Sequence, residues 1–190
     1  KEPTVDLDVF DDYRHEENTN YKDYNSEYLI PRKYSTEGPA TAVADVNGDG
    51  LNDLYLGGAK EQPGSLWFQK ANGAFESQEN ASFNIQARAV EPDAVFFDAN
   101  GDGAPDRYVV SAGNEYDNGQ VFTYDRLYIN DGRGNLQFAP AALPQLGTHG
   151  KKVSTADIDG DGDLDLFVAA NVVKGAYGLN PNHQLLINNG

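Results

Sequence analysis

The stretch Ala156-Asp157-Ile158-Asp159-Gly160-Asp161-Gly162-Asp163-Leu164-Asp165-Leu166 sets aspartates at every second position around two glycines, then returns to β-forming residues. The same frame occurs twice more without gaps. One copy is Ala44-Asp45-Val46-Asn47-Gly48-Asp49-Gly50-Leu51-Asn52-Asp53-Leu54, the other Phe97-Asp98-Ala99-Asn100-Gly101-Asp102-Gly103-Ala104-Pro105-Asp106-Arg107. All three read Asp-x-Asn/Asp-Gly-Asp-Gly-x-x-Asp, and their first aspartates are 53 and 59 positions apart. A period of that size is the signature of stacked or radially arranged repeat units.

The flanks repeat with the loops. A short β-forming run precedes each loop (40–44, 94–97, 153–156), and a second follows it (54–56, 108–110, 166–168). A third run (66–68, 127–129, 185–187) ends in Asn72-Gly73, Asp131-Gly132 or Asn189-Gly190, the turn chemistry of a tight hairpin. Residues 74–75 and 136–138 supply a fourth strand in the first two units. This predicts an all-β chain of β-propeller blades, four short antiparallel strands each, with about three blades present as a partial ring. The expected units are 40–92, 93–152 and an incomplete 153–190, behind an irregular lead-in at 1–39. That lead-in is expected to pack a few aromatics on the first blade. Helix is expected nowhere beyond short turns near 78–81, and His15-Glu16-Glu17 is a lesser binding candidate.

Composition narrows the chemistry. Among 190 residues there are 30 acids against 14 Lys and Arg, a net charge of −16, and no cysteine. Thiol catalysis, disulfides, iron–sulfur clusters and cysteine-type zinc sites are excluded. Such a charge repels phosphates, so nucleic acid is not an expected partner. No apolar run approaches the ~20 residues that span a bilayer, so no transmembrane helix is expected. Dinucleotide, P-loop, zinc-helix and nucleophile-elbow motifs are missing too.

A large carboxylate excess suits cations. In a curled loop, side chains at positions 1, 3 and 5 converge, glycine at 6 allows the sharp turn, position 7 offers its carbonyl, and a carboxylate completes the shell. The ligand sets are therefore Asp45, Asn47, Asp49, Leu51 (carbonyl) and Asp53; Asp98, Asn100, Asp102, Ala104 (carbonyl) and Asp106; Asp157, Asp159, Asp161, Asp163 (carbonyl) and Asp165. All-oxygen shells favour Ca²⁺ over Mg²⁺, and up to three ions are expected. An EF-hand is rejected: its position 12 is a glutamate, here Leu56, Val109 and Val168, and β-formers follow the loop instead of a helix. The side-chain ligands carry ten negative charges, and three Ca²⁺ would bring −16 to −10.

These residues resemble the FG-GAP/VCBS repeat of integrin α-subunit propellers and bacterial exported proteins, over about 40–190 and best at 153–170. Ser35 to Ala40, Val43 to Asp53 and Leu56-Gly57-Gly58-Ala59 are also similar to bacterial VCBS-repeat proteins that often carry an ASPIC/UnbV-type region. The resemblance implies a calcium-bearing propeller, commonly seven-bladed, in an exported, periplasmic, outer-membrane-attached or cell-surface protein; Pro105 and Arg107 depart from the pattern and weaken the second site. Three blades cannot close a ring, so further blades from a longer chain or an oligomer are expected. The leading expectation is a calcium-stabilised recognition or adhesion module for carbohydrate or protein, using loops at 60–64, 113–123 and 171–182. The alternative is a polysaccharide lyase or hydrolase drawing on His149, His183, Tyr116, Tyr124, Arg126 and Lys152.

Overall fold

The structure, a computed structural model, describes residues 13–117, 119–147 and 149–190; the first twelve residues of the lead-in, Asn118 and Thr148 lie outside it. Three antiparallel sheets follow one another along the chain. The first is β1 (Thr41–Ala44), β2 (Asp53–Leu56), β3 (Ser65–Gln69) and β4 (Phe75–Gln78), in that spatial order. The second repeats it with β5 (Val90–Phe97), β6 (Asp106–Ala112), β7 (Arg126–Asn130) and β8 (Leu136–Phe138). The third holds β9 (Gly150–Ala156), β10 (Asp165–Ala170) and β11 (Gln184–Leu186). The first strands β1, β5 and β9 lie side by side, as the inner strands of propeller blades do. The chain is therefore all-β, with three consecutive blades of a partial propeller.

β5 and β9 start at Val90 and Gly150, three residues ahead of the limits drawn at 93 and 153. In β5 the early part is hidden in the sequence, because Glu91-Pro92-Asp93 reads as a break. Pairing in fact skips from Val90–Ala112 to Asp93–Val110, so Pro92 sits at an irregularity where its missing N–H leaves no gap in the ladder. Two short helices also form, α1 (Asp23–Ser26) and α2 (Ala81–Ile85). α2 begins where the turns near 78–81 were expected to end, capped by the Asn80 side chain, which accepts from Ser82 N at 2.9 Å.

Two cores fill the spaces between sheets. Tyr55, Leu66, Phe83, Val109 and Tyr128 pack between the first and second, and Tyr108, Val110, Leu127, Leu166 and Val168 between the second and third. The first space also holds a cation. Arg107, fully buried, lies 3.8–4.0 Å from the ring centres of Phe83, Tyr55 and Tyr128. Its three nitrogens find no hydrogen-bond acceptor among the described residues. The equivalent positions are Leu54 and Leu166, so attraction to three ring faces replaces ordinary apolar contact. Nearby, the Glu91 carboxylate is closed off by Arg126 at 2.9 Å, by Gly58 N at 2.8 Å and by the Tyr55 hydroxyl.

The described part of the lead-in crosses all three sheets. Tyr13 meets Trp67 edge-on and donates to Gly57 O at 3.2 Å. Tyr21 donates to Asn114 O at 2.8 Å, and Asp23 accepts from Tyr34 N, Ser35 N and Asn114 Nδ2. Glu37 pairs with Lys151 at 3.3 Å, and Ile30 and Tyr34 pack on Val172. Gly57, Asn114 and Val172 all follow the ends of second strands, whereas the aspartate loops precede their starts. Strap and loops therefore occupy opposite ends of the sheets.

Candidate metal centre

Each aspartate loop joins the first and second strand of a sheet, and each is wound on its own first aspartate. In the first loop Asp45 Oδ1 accepts from Gly48 N (2.8 Å) and Asp49 N (3.0 Å), and Oδ2 from Gly50 N (2.8 Å). The Asp49 N–H is shared with Asn47 Oδ1 at 2.9 Å, which draws the oxygens at positions 1 and 3 together. Gly48 and Gly50 have φ of 75° and 87°, a conformation that an L side chain rarely takes. The second loop repeats this around Asp98, with Gly101 N, Asp102 N and Gly103 N as donors at 2.9, 3.2 and 2.8 Å. Pro105 and Arg107 leave the winding intact: Pro105 needs no donor there, and Arg107 points into the core.

The third loop differs in charge. Asn47 and Asn100 donate their amides to Asp49 and Asp102, at 3.2 and 3.0 Å. Asp159 stands in their place and has no proton to give. Asp157, Asp159 and Asp165 each present a carboxylate oxygen, all within 4.8 Å of one another. Three carboxylates so close repel unless a cation lies between them. The donor set is therefore chemically suited to a hard divalent ion. Asp161 Oδ1 is turned to Asp163 N at 2.9 Å, and the other expected ligands lie in the same loops.

The ninth position has a second task that the spacing alone does not reveal. Asp53 accepts from Val46 N and Gln69 N, both at 2.9 Å; Asp106 from Ala99 N (3.0 Å) and Asn130 N (2.7 Å); Asp165 from Ile158 N and Asn188 N, both at 2.8 Å. Each carboxylate thus ties its loop to the end of the third strand, and each oxygen keeps a lone pair for a metal. Burial raises the pKa of Asp53 and Asp106, while the backbone donors Ile158 and Asn188 lower that of Asp165. All three carboxylates are without exposed surface, but sheets one and two are each followed by another sheet and the third, among the described residues, is not.

Two asparagines, read from sequence only as turn residues or not at all, staple consecutive loops. Asn130 Nδ2 reaches back to Val46 O of the first loop at 2.9 Å and also to Pro105 O at 3.1 Å. Asn188 Nδ2 reaches Ala99 O of the second loop at 3.1 Å. Their only sequence signal is a common place just before Asp131-Gly132 and Asn189-Gly190.

Of the residues weighed for catalysis, all but His149, whose buried Nε2 meets no partner among the described residues, are held by separate local partners. Tyr116 donates to Arg88 O (2.6 Å), Tyr124 to Gly119 O (2.9 Å) and Lys152 to Asp93 (3.0 Å), while His183 Nδ1 accepts from Ala170 N (3.2 Å). Arg126 is locked to Glu91, and His149 is buried with burial pushing its pKa down to about 4. His15 pairs with Glu17 at 2.9 Å. No helix among the described residues is long and apolar enough to cross a membrane.

Comparison with family models agrees with the repeat geometry. No curated protein matches the chain. A crystal structure from Bifidobacterium bifidum s17, bearing the description exo-beta-1,3-galactanase, is similar at 12% identity and a TM-score of 0.40, over 70% of this chain and 45% of that one. This chain thus spans less than half the length of that protein. The model of the FG-GAP-like repeat matches twice, over residues 45–109 and 98–168, two overlapping spans that each run from one aspartate loop to the strand after the next. The chain is a member of the FG-GAP-like repeat family.

Proposed function

We propose that this chain is a calcium-clipped propeller module of an exported or cell-surface protein, serving recognition of carbohydrate or protein, with the metal structural. The observation that carries the metal reading is the third loop, where Asp157, Asp159 and Asp165 converge within 4.8 Å. Ca²⁺ there would be held by these three with Asp161 and the Asp163 carbonyl. Asp45, Asn47, Asp49, Leu51 and Asp53 would hold a second ion, and Asp98, Asn100, Asp102, Ala104 and Asp106 a third. Every such ligand belongs to a loop fastened at both ends, so the ion braces a strand connection. Recognition is preferred to catalysis because the candidate acid–base groups other than His149 serve local structure, and His149 is buried away from solvent.

The third sheet supports the further reading that more blades complete the ring. Tyr55 and Tyr108 are fully buried by the sheet that follows theirs, but Phe167 at the same position is 43% exposed. Its cross-strand partner Leu185 is 51% exposed, against 1% and 7% for Leu66 and Leu127. A fourth unit of the same kind would cover this face.

The metal reading is tested by melting the protein in Ca²⁺ and again after chelation, with Asp159→Ala alongside. A ligand that binds only the folded state at 100 times its Kd adds ~2.7 kcal/mol per site. The expected result is a clear loss of Tm on chelation, smaller in Asp159→Ala. Equal melting temperatures with and without Ca²⁺ would refute it.

A further inference from the structure

The chain has 14 Lys and Arg among 30 acids, yet four of those cations border one recess of about 370 Å³. Arg32 and Lys33 come from the strap, Lys151 and Lys152 from the start of β9, and Pro39 and Pro92 form its walls. Glu37, nearly buried, fixes two of the cations, taking Arg32 at 3.0 Å on one oxygen and Lys151 at 3.3 Å on the other. Asp93 fixes a third, Lys152, at 3.0 Å while leaving that side chain 66% exposed. Lys33 pairs with no carboxylate among the described residues. Among the described residues that line or pair at it, four cations against two carboxylates leave the recess net positive in a strongly negative molecule. It lies beside the inner strands, at the strap end of the sheets, away from the aspartate loops.

We propose that this recess binds a carboxylate-bearing sugar, a uronic acid residue. Its volume is at the small end of the ~300–1,000 Å³ range of ligand pockets, the scale of one or two sugar rings. Among the described residues its lining is polar apart from the two prolines, and no Leu, Ile, Val or aromatic side chain there offers the apolar seat that a peptide anchor needs. A densely charged polyphosphate meets the long-range repulsion of a −16 chain. A sugar acid brings a single charge per ring to the unpaired Lys33 and the exposed Lys152, with the Thr36 hydroxyl at hand for its hydroxyls. This names a ligand class for the recognition role proposed above and rests on that role, but not on the calcium assignment.

The experiment is isothermal titration with trigalacturonate in Ca²⁺ buffer, set against neutral maltotriose. Lys33→Gln serves as the main variant, since it strands no acid and leaves the fold alone, and Lys33→Gln/Lys151→Gln as the second. Binding of trigalacturonate alone is expected, weakening with salt, roughly threefold weaker in the first variant and roughly tenfold in the second. Four outcomes overturn the proposal: no binding, equal binding of maltotriose, binding unchanged in both lysine variants, or tighter binding of an acidic peptide such as tetraglutamate. If affinity instead falls only in Asp159→Asn, the sugar is bridged by metal at the loops; the recess is then refuted while the recognition role survives.

Discussion

Asn130 is the side chain on which the joint between the first two blades most depends. It is 1% exposed and makes four hydrogen bonds: its amide donates to Val46 O and Pro105 O, and its oxygen accepts from Gly132 N at 3.2 Å and Gly134 N at 3.1 Å. Asn130→Ala removes all four and strands a carbonyl on Val46, a residue without exposed surface. At ~1 kcal/mol net per bond, the four bonds together make the loss about 3–5 kcal/mol. Asn188→Ala deletes the equivalent bond to Ala99 O and one from Gly190 N at 3.3 Å, in more open surroundings, so about 1 kcal/mol is expected. Asn130→Asp keeps the acceptor but sets a carboxylate against two carbonyl oxygens, and must cost at least as much as alanine. The measurement is urea unfolding in Ca²⁺-saturated buffer. At an m-value of ~2 kcal/mol/M, the Asn130→Ala midpoint falls by roughly 2 M. Equal midpoints for Asn130→Ala and Asn188→Ala, or a wild-type midpoint for Asn130→Asp, would refute the staple.

Three further expectations follow from burial and charge. Tyr108→Ser, at a fully buried ring, should cost more than ~3 kcal/mol by urea unfolding, whereas Phe167→Ser should cost under ~1 kcal/mol in this chain because its ring is already half in water; comparable losses would mean that the third sheet is covered. Arg107→Leu should hold or raise stability by about 1–3 kcal/mol, since leucine is what the sister positions carry and the guanidinium has no acceptor among the described residues; a loss above ~2 kcal/mol would show that the three rings outweigh its desolvation. For pH, burial pushes His149 down to about 4, helped by Lys174 and opposed by Asp117, so its contribution is present above 6.5 and is lost as pH falls through 4, about 3 kcal/mol in all. Asp125 is pushed up to about 6 by burial despite its bonds from Tyr108 and Ser111, so it has the opposite sign: acidification from 6 toward 4 restores ~1–2 kcal/mol after discount for its partial exposure. His149→Asn, which suits the left-handed backbone at that residue (φ 47°), should therefore flatten the acid limb, and Asp125→Asn should steepen it. Parallel pH profiles for wild type and both variants would dismiss these assignments.

The sheets were legible because the loops are local: nine consecutive residues carry both the turn and its acids, and the repeat fixes the register of everything after it. Short apolar runs such as 54–56 and 108–110 then had only one role left. What escaped reading was non-local. Asn130 and Asn188 look like ordinary hairpin residues until the neighbouring sheet supplies a carbonyl, and nothing near Arg107 announces three rings drawn from β2, α2 and β7. In the sequence the strap looks like a lead-in resting on the first blade, because Asp, Glu, Asn and Tyr in no order give no period. Its side chains instead find partners 93 and 91 residues away, as in Tyr21 to Asn114 O and Asp23 to Asn114 Nδ2. Similarly, Arg32-Lys33 and Lys151-Lys152 are unremarkable pairs until the fold brings them to one recess.

The three loops are joined by an unbroken run of hydrogen bonds. Val46 O of the first loop is held by the Asn130 side chain, and Asn130 N is held by Asp106, whose other oxygen takes Ala99 N of the second loop. Ala99 O is held by the Asn188 side chain, Asn188 N by Asp165, and Asp165 also takes Ile158 N of the third loop. Ala99 is gripped at both its N–H and its carbonyl, so loosening one staple should reduce what the other is worth. Independent sites add within ~0.3–0.5 kcal/mol, whereas members of one network show interaction energies of ~0.5–3 kcal/mol. A double-mutant cycle on Asn130→Ala and Asn188→Ala, read by urea unfolding, should therefore give an interaction above ~0.5 kcal/mol, with the double variant less damaged than the sum of the singles. The same cycle with Lys70→Ala, whose partner Glu76 is exposed at the outer strand, should be additive. Additivity in both cycles would mean that each blade stands alone and that the bonds between loops transmit nothing.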